Sequence, residues 1–243
     1  MRTIRCYVDL DLNVGKEIIL PEITSNHLLR VLRLEINDTF QLFNGDGSDY
    51  QAKLINVEKK HSKAIIFSTH TTNNESPLKI HLFQSIARGE KMDLILQKAT
   101  ELGIRSFTPM VSDRTEVKLD IERSEKKLQH WQGVIRSACE QSGRSTLPVL
   151  HEPVGLKQIA ANSVFTQAYY LDPKATNRIQ NLKIYADNEV NLAIGPEGGF
   201  SDRDLELLQI AKFQGLTIGP RILRTETAGI AIIAALQSQF GDW

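Results

Sequence analysis

Over the first seventy residues apolar positions alternate with polar ones, and beyond that they recur at helical spacing. YVDLDL from Tyr7 alternates, FQLFNGDG from Phe40 alternates into an Asn-Gly-Asp-Gly turn, and SDYQAKLINVEKKHSKAIIFS from Ser48 supplies two further runs. SNHLLRVLRL from Ser25 breaks the pattern. Its Leu28, Leu29, Val31, Leu32 and Leu34 suit a short helix capped by Ser25 or Asn26. Several short strands with a single helix predict a small β-barrel. The polar, turn-forming stretch TTNNESP, Thr71 to Pro77, ends this grammar and sets a first domain at residues 1–72.

Residues 73–243 read as alternating strands and helices. LKIHLFQSIA is a buried-strand pattern. EKMDLILQKATEL is helical, with Met92, Ile95, Leu96, Ala99 and Leu102 on one face and Gly103 as the stop, and Ile104 to Val111 is the next strand. That βαβ unit predicts an α/β domain on a parallel sheet. A longer helix runs from about Ile121 to Ser142 and stops at Gly143. Further strands are expected over Val164–Leu171, Val190–Gly195 and Leu216–Gly219, with helices beginning near Ser201 and Thr225.

Composition narrows the class. The 29 basic and 29 acidic residues give zero net charge, so any RNA partner must be held by local patches rather than by a uniformly basic surface. No stretch approaches the roughly 18 apolar residues of a membrane span. MRTIRCYVDLDL places acids where a signal peptide needs an apolar core, and Cys6 and Cys139 stand far apart, so a reducing cytoplasm is expected and no disulfide framework. The six histidines fall singly, without metal-ligand spacing, and no metal is expected.

Two strand ends carry the same device. IGPEGGFS from Ile194 and IGPRILRTETA from Ile218 each stop an apolar run at Gly-Pro and lead into a helix. A single Gly-Pro is an ordinary tight turn, but two on successive strand ends lie where ligands of open α/β sheets bind. Gly195, Gly198 and Gly199 let backbone approach a ligand, Pro196 and Pro220 fix φ, and Ser201 with Asp204 forms a capping box. Thr225 or Thr227 is the expected cap of the second helix. The spacing is neither G-x-G-x-x-G nor followed by G-K-[ST], so the pattern points to a nucleoside-sized ligand read through main-chain hydrogen bonds.

These loops resemble the paired signatures of the RsmE family, the 16S ribosomal RNA uridine-N3 methyltransferases of the SPOUT class. HLLRVLRL, SPLKIHLFQSIARGEKMDLILQKATELGI, ACEQSGR and the terminal ALQSQFGDW agree, and the resemblance spans the chain. It implies a C-terminal SPOUT α/β (trefoil) knot whose tail from about Ile218 passes a loop near Gly195, an N-terminal PUA-like RNA-binding β-barrel, and a homodimer with its pocket near the subunit interface. The implied methyl donor is S-adenosyl-L-methionine, surrounded by Leu171, Gly195, Glu197, Gly198, Ile218, Gly219, Leu223, Arg224, Thr225 and Ala228. Asp172 stands where the family often has histidine. The implied substrate is a uridine of 16S ribosomal RNA in the 30S subunit.

Methylation at uracil N3 requires alignment and loss of a proton, which puts negative charge on O2 and O4. Arg221 or Arg224 is the candidate for stabilising that anion, and Glu197 or Glu226 the candidate base. Each glutamate also has a plainer reading as a helix-terminal charge, and Arg224 as a salt bridge to Glu226 or Glu197. Local basic patches expected to meet RNA are Arg2 and Arg5, Arg30 and Arg33, Arg88 with Lys91, Arg114 and Arg144. Two other classes compete with this one. An assembly factor without turnover has no need of an intact donor pocket. A hydrolase using Ser201 or Thr225 lacks a G-x-S-x-G elbow and a histidine partner.

Overall fold

The computed structural model describes residues 4–58, 60–116, 121–185 and 189–243. The chain forms two compact units, residues 1–75 with 136–147, and residues 76–135 with 148–243. Among the described residues no helix is long and apolar enough to cross a membrane.

The first unit holds β1 (Arg5–Tyr7), β2 (Glu17–Ile19), α1 (Glu22–Asn26), β3 (Thr39–Phe43), β4 (Ser48–Asn56) and β5 (Lys63–Thr71). They form one sheet in the order β1-β3-β4-β5-β2, with β1 parallel to β3 and the other pairs antiparallel. Among the described residues the two edges do not pair, so the expected barrel is a half-barrel. Its inward positions, among them Leu20, Leu28, Phe40, Leu42, Leu54 and Ile66, make one apolar core. Gly45 and Gly47 take the positive φ of 99° and 88° that the β3–β4 hairpin needs. YVDLDL pairs only as far as Tyr7, with Val8 N–H adding one bond to Phe43 O.

The short helix differs from its expectation. It starts one turn early, after Pro21, and continues as a π-helical turn over His27–Val31. Ser25 is therefore inside the helix, where its hydroxyl donates to Leu20 O, and neither Ser25 nor Asn26 caps it. The wider π turn also carries Val31 outward, leaving it 66% exposed instead of packed.

The second unit is an all-parallel sheet of β6 (Lys79–Ser85), β7 (Ser106–Val111), β8 (Val149–Leu150), β9 (Val154–Gly155), β10 (Ala168–Leu171), β11 (Glu189–Ile194) and β12 (Gln214–Leu216). The order is β12-β10-β11-β6-β7-β8, with β9 also on β7. Helices α2 (Glu90–Glu101), α3 (Ile121–Ser142), α4 (Leu156–Asn162), α5 (Asp202–Ile210) and α6 (Thr225–Phe240) accompany it. The last residues of α3, from Arg136, count with the first unit. Helix α2 buries Met92, Ile95, Leu96 and Ala99, and Gly103 ends it at φ 81°.

Two strand expectations shift. The third is shorter than Val164–Leu171, because Phe165 leaves the ladder to pack in an aromatic cluster with Phe83 and Phe213. The last ends at Leu216, not Gly219, which frees Thr217 to Gly219 to enter a loop. From edge strand β12 the chain returns past β10 and β11, and α6 packs on α2. Consecutive elements are thus interleaved in the manner of an α/β knot, and the two Gly-Pro loops meet.

Candidate active site

A cavity of about 530 Å³ opens at the carboxyl ends of three neighbouring strands. Because β10 lies between β11 and β12, the Leu171–Pro173 turn stands between the two Gly-Pro loops and forms the third wall. All ten residues expected around a donor line this cavity: Leu171, Gly195, Glu197, Gly198, Ile218, Gly219, Leu223, Arg224, Thr225 and Ala228. Arg221 lines it too, whereas Glu226 does not.

Close packing explains the glycines. A Cβ on Gly195 would come within 3.3 Å of the Phe200 backbone nitrogen, and one on Gly198 within 3.3 Å of Arg114 Cδ. Gly199 turns the loop at φ 68°. Gly219 differs, since a Cβ there meets nothing within 4 Å and would take up cavity space.

The loops are joined by side chains. Thr225 Oγ1 donates to Gly195 O at 2.6 Å, and Gln84 Nε2 donates to Thr225 Oγ1 at 3.0 Å. Thr225 is consequently not the cap of α6. That position is Arg224, and Thr227 is one turn too late. The Ser201 capping box is formed in full, with Asp204 N–H donating to Ser201 Oγ at 3.0 Å. Ser201 Oγ in turn donates to Asp113 at 2.8 Å. Both hydroxyls proposed for a hydrolase are committed to structure, and no histidine lines the cavity.

Basic residues from two other segments surround the first loop. Lys91 Nζ donates to Glu197 Oε1 at 2.9 Å, Arg88 N–H reaches the same oxygen, and Arg114 Nη1 donates to Gly198 O at 2.7 Å. The Arg88 guanidinium pairs with Glu116. Partial burial alone would raise the Glu197 pKa. Hydrogen bonds from Lys91 and from the backbone of Glu197 and Arg88 outweigh it and hold the carboxyl below the usual range. Glu197 is thus an ionised loop anchor and a weak base. Glu226 is half-buried, with Oε2 lacking a hydrogen-bond partner among the described residues. Arg221 and Arg224, by contrast, are exposed at the cavity with no ion pair among the described residues. The plainer reading of Arg224, a salt bridge to Glu197 or Glu226, does not hold. Asp172 has a local job, accepting from Lys174 N–H at 2.9 Å to close its own turn.

Residues 74–237 match the RNA methyltransferase domain family, and residues 22–67 match the RNA methyltransferase PUA domain family. The Ribosomal RNA small subunit methyltransferase E of Buchnera aphidicola subsp. Schizaphis graminum is 34% identical over 241 residues, covering 98% of this chain and 97% of that protein. The chain belongs to the ribosomal RNA small subunit methyltransferase E family. Solved structures agree. The Neisseria gonorrhoeae member of this methyltransferase E family, bound to S-adenosyl methionine, has a TM-score of 0.92 at 37% identity, with 100% of both chains covered. The Legionella pneumophila protein Lpg2936, in complex with its bound cofactor SAM, has a TM-score of 0.96 at 39% identity, again over 100% of both chains.

For a methyltransferase E family member the expected RNA contacts separate into three groups. Arg30 and Arg33 are exposed at the end of the π turn. Arg88, Lys91 and Arg114 stand around the cavity loop as described. Arg5 and Arg144 are corrections, with side chains only 8% and 4% exposed. Arg5 pairs with Asp49 at 2.6 Å and donates to Cys139 O and Ser145 Oγ, while Arg144 pairs with Glu75 at 2.6 Å. Such buried guanidiniums are spent on internal acceptors and are not presented to RNA. Arg2 lies outside the described residues. Cys6 and Cys139 are free buried thiols, each pushed to about 12, chiefly by burial.

Gln84 was not anticipated. Its signal was present, as a lone amide within the apolar run LKIHLFQSIA.

Proposed function

We propose that this chain methylates N3 of a uridine in 16S ribosomal RNA, using S-adenosylmethionine. The observation that carries the reading is the cavity made where two Gly-Pro loops and the β10 turn converge, with Arg221 and Arg224 at its wall and without an ion pair among the described residues. Its volume suits a nucleoside-sized ligand, and the space at Gly219 suits a flat group lying against bare backbone. When bound, S-adenosylmethionine supplies an electrophilic methyl on a sulfonium, already a good leaving group.

The protein's own share is alignment and charge. Backbone atoms of Ile218, Leu223 and Ala228 hold the adenine side, and Gly195 and Gly198 the ribose and methionine side. Arg221 or Arg224 faces the uracil edge and stabilises the N3 anion through a guanidinium that does not titrate. With Glu197 held as a weak base, the guanidiniums acidify N3 and its proton passes to solvent water before the methyl bond forms. Residues 1–72 serve as the RNA-binding domain, joined by the stretch 136–147, and the rest of 73–243 as the methyltransferase domain, with Arg30 and Arg33 on phosphates. The enzyme works in the cytoplasm on the 30S subunit.

A second copy of the chain completes the enzyme. Between Ala228 and Leu236 helix α6 is apolar around its circumference, and Ile230, Ala231, Ala234 and Ala235 on its outer face are only partly covered. A helix of that composition is stable when both faces are buried.

Nucleoside mass spectrometry of 16S ribosomal RNA from cells lacking the protein is the test. Loss of 3-methyluridine alone is expected, restored by the wild-type chain. Unchanged 3-methyluridine would sink the reading, and a wild-type protein that shows no calorimetric binding of S-adenosylmethionine would favour the assembly factor.

A further inference from the structure

Gln84 is a polar side chain with no exposed surface, placed at the end of β6 beside Ile194 of β11. It sits behind the cavity rather than in it. Its Nε2 donates two hydrogen bonds, to Ser85 O at 3.0 Å and to Thr225 Oγ1 at 3.0 Å, while Oε1 has no partner among the described residues. An amide buried with a bare carbonyl costs more than an apolar side chain of the same shape. The amino group must return something.

What it returns is the direction of a proton. A threonine hydroxyl has one hydrogen to give and lone pairs to receive with. The Gln84 amino group can only donate, so it occupies a Thr225 lone pair and leaves the hydroxyl hydrogen for Gly195 O. The relay Gln84 to Thr225 to Gly195 therefore runs one way and ties β6, the first Gly-Pro loop and the start of α6 at a single point. We propose that Gln84 is a positioning residue that orders the Thr225–Gly195 bridge and so holds the two cavity loops at their binding separation. This rests on reading the cavity as the methyl-donor site.

Isosteric Gln84→Glu reverses the polarity at this point. An ionised carboxylate accepts from Thr225 and competes with Gly195 O for its only hydrogen, whereas a protonated one can donate again. Gln84→Met keeps the shape and removes the donor. Two readouts apply. In the ligand-free protein, hydrogen exchange of amides at 195–200 and 224–228 should accelerate in Gln84→Met and in Thr225→Val. In calorimetry, each should weaken S-adenosylmethionine by about tenfold, the value of one well-formed hydrogen bond. Combining them should add little, because Gln84 acts through Thr225. For Gln84→Glu the dissociation constant should rise with pH as the carboxyl ionises, over a range in which wild type is flat.

Thr225→Ser, which keeps the hydroxyl but trims a methyl from the cavity wall, should keep the slow exchange of wild type at 195–200 and 224–228. Full additivity of Gln84→Met with Thr225→Val, or wild-type exchange and affinity in both single variants, would overturn the proposal. If wild type itself fails to bind S-adenosylmethionine, the functional reading falls, and the exchange measurement still judges Gln84 alone.

Discussion

Arg33 occupies φ 56°, the left-handed region that glycine enters without strain. It follows the π turn, where Leu34 N–H reaches back to Leu28 O at 3.0 Å, a helix-ending bond usually made around glycine. An exposed arginine kept at such a position trades stability for its side chain. Arg33→Gly should raise stability by about 1 kcal/mol in urea unfolding and weaken binding of 16S RNA with a shallower salt dependence. Unchanged RNA affinity would remove Arg33 from the interface. Legibility at this scale depends on reach. Gly195 and Gly219 could be singled out because a missing side chain is visible in any sequence. That Glu197 is held by Lys91, 106 positions away, and that Arg5 is buried against Asp49 could not, since a charge looks the same solvated or paired.

Among the elements, local signals were the readable ones. The Ser201 capping box lies within four consecutive residues and forms as expected. Thr225 has the same chemistry, but its hydroxyl is drawn across to Gly195, so a distant acceptor displaced the local cap. Strand β6 carries a second polar departure at His81, on the face opposite Gln84 by alternation. Its ring lies between Ser106 Oγ at 2.5 Å and Thr108 Oγ1 at 2.9 Å, with His151 nearby. Burial, and secondarily His151, lowers its pKa from 6.5 to about 4. The unfolded chain therefore takes up this proton first. The stabilising contribution is whole above pH 6.5 and is lost as pH falls through about 4. His81→Asn should flatten that part of the acid limb in urea midpoints measured across the range. An acid limb identical to wild type would assign it to other groups.

At the scale of the whole molecule, zero net charge directs attention to patches and to assembly. Ala234→Arg places a charge on the partly covered face of α6. Light scattering should report a dimer for wild type, as proposed, and a monomer for the variant, with weaker donor binding because α6 also lines the cavity through Thr225 and Ala228. A monomeric wild type would overturn the dimer. The sequence by itself determined the two-part organisation, the class of each part and the glycines, prolines and helix signals of both loops, because these follow from local periodicity and backbone preference. Only the tertiary structure decided that β10 separates β11 from β12 and so sets the Leu171–Pro173 turn between the two loops. It also decided which arginines are buried, which two stand at the cavity without an ion pair among the described residues, and that Gln84 directs the Thr225 hydroxyl. Strand order and ion pairing join residues far apart along the chain, and no local pattern encodes which distant partner a side chain will meet.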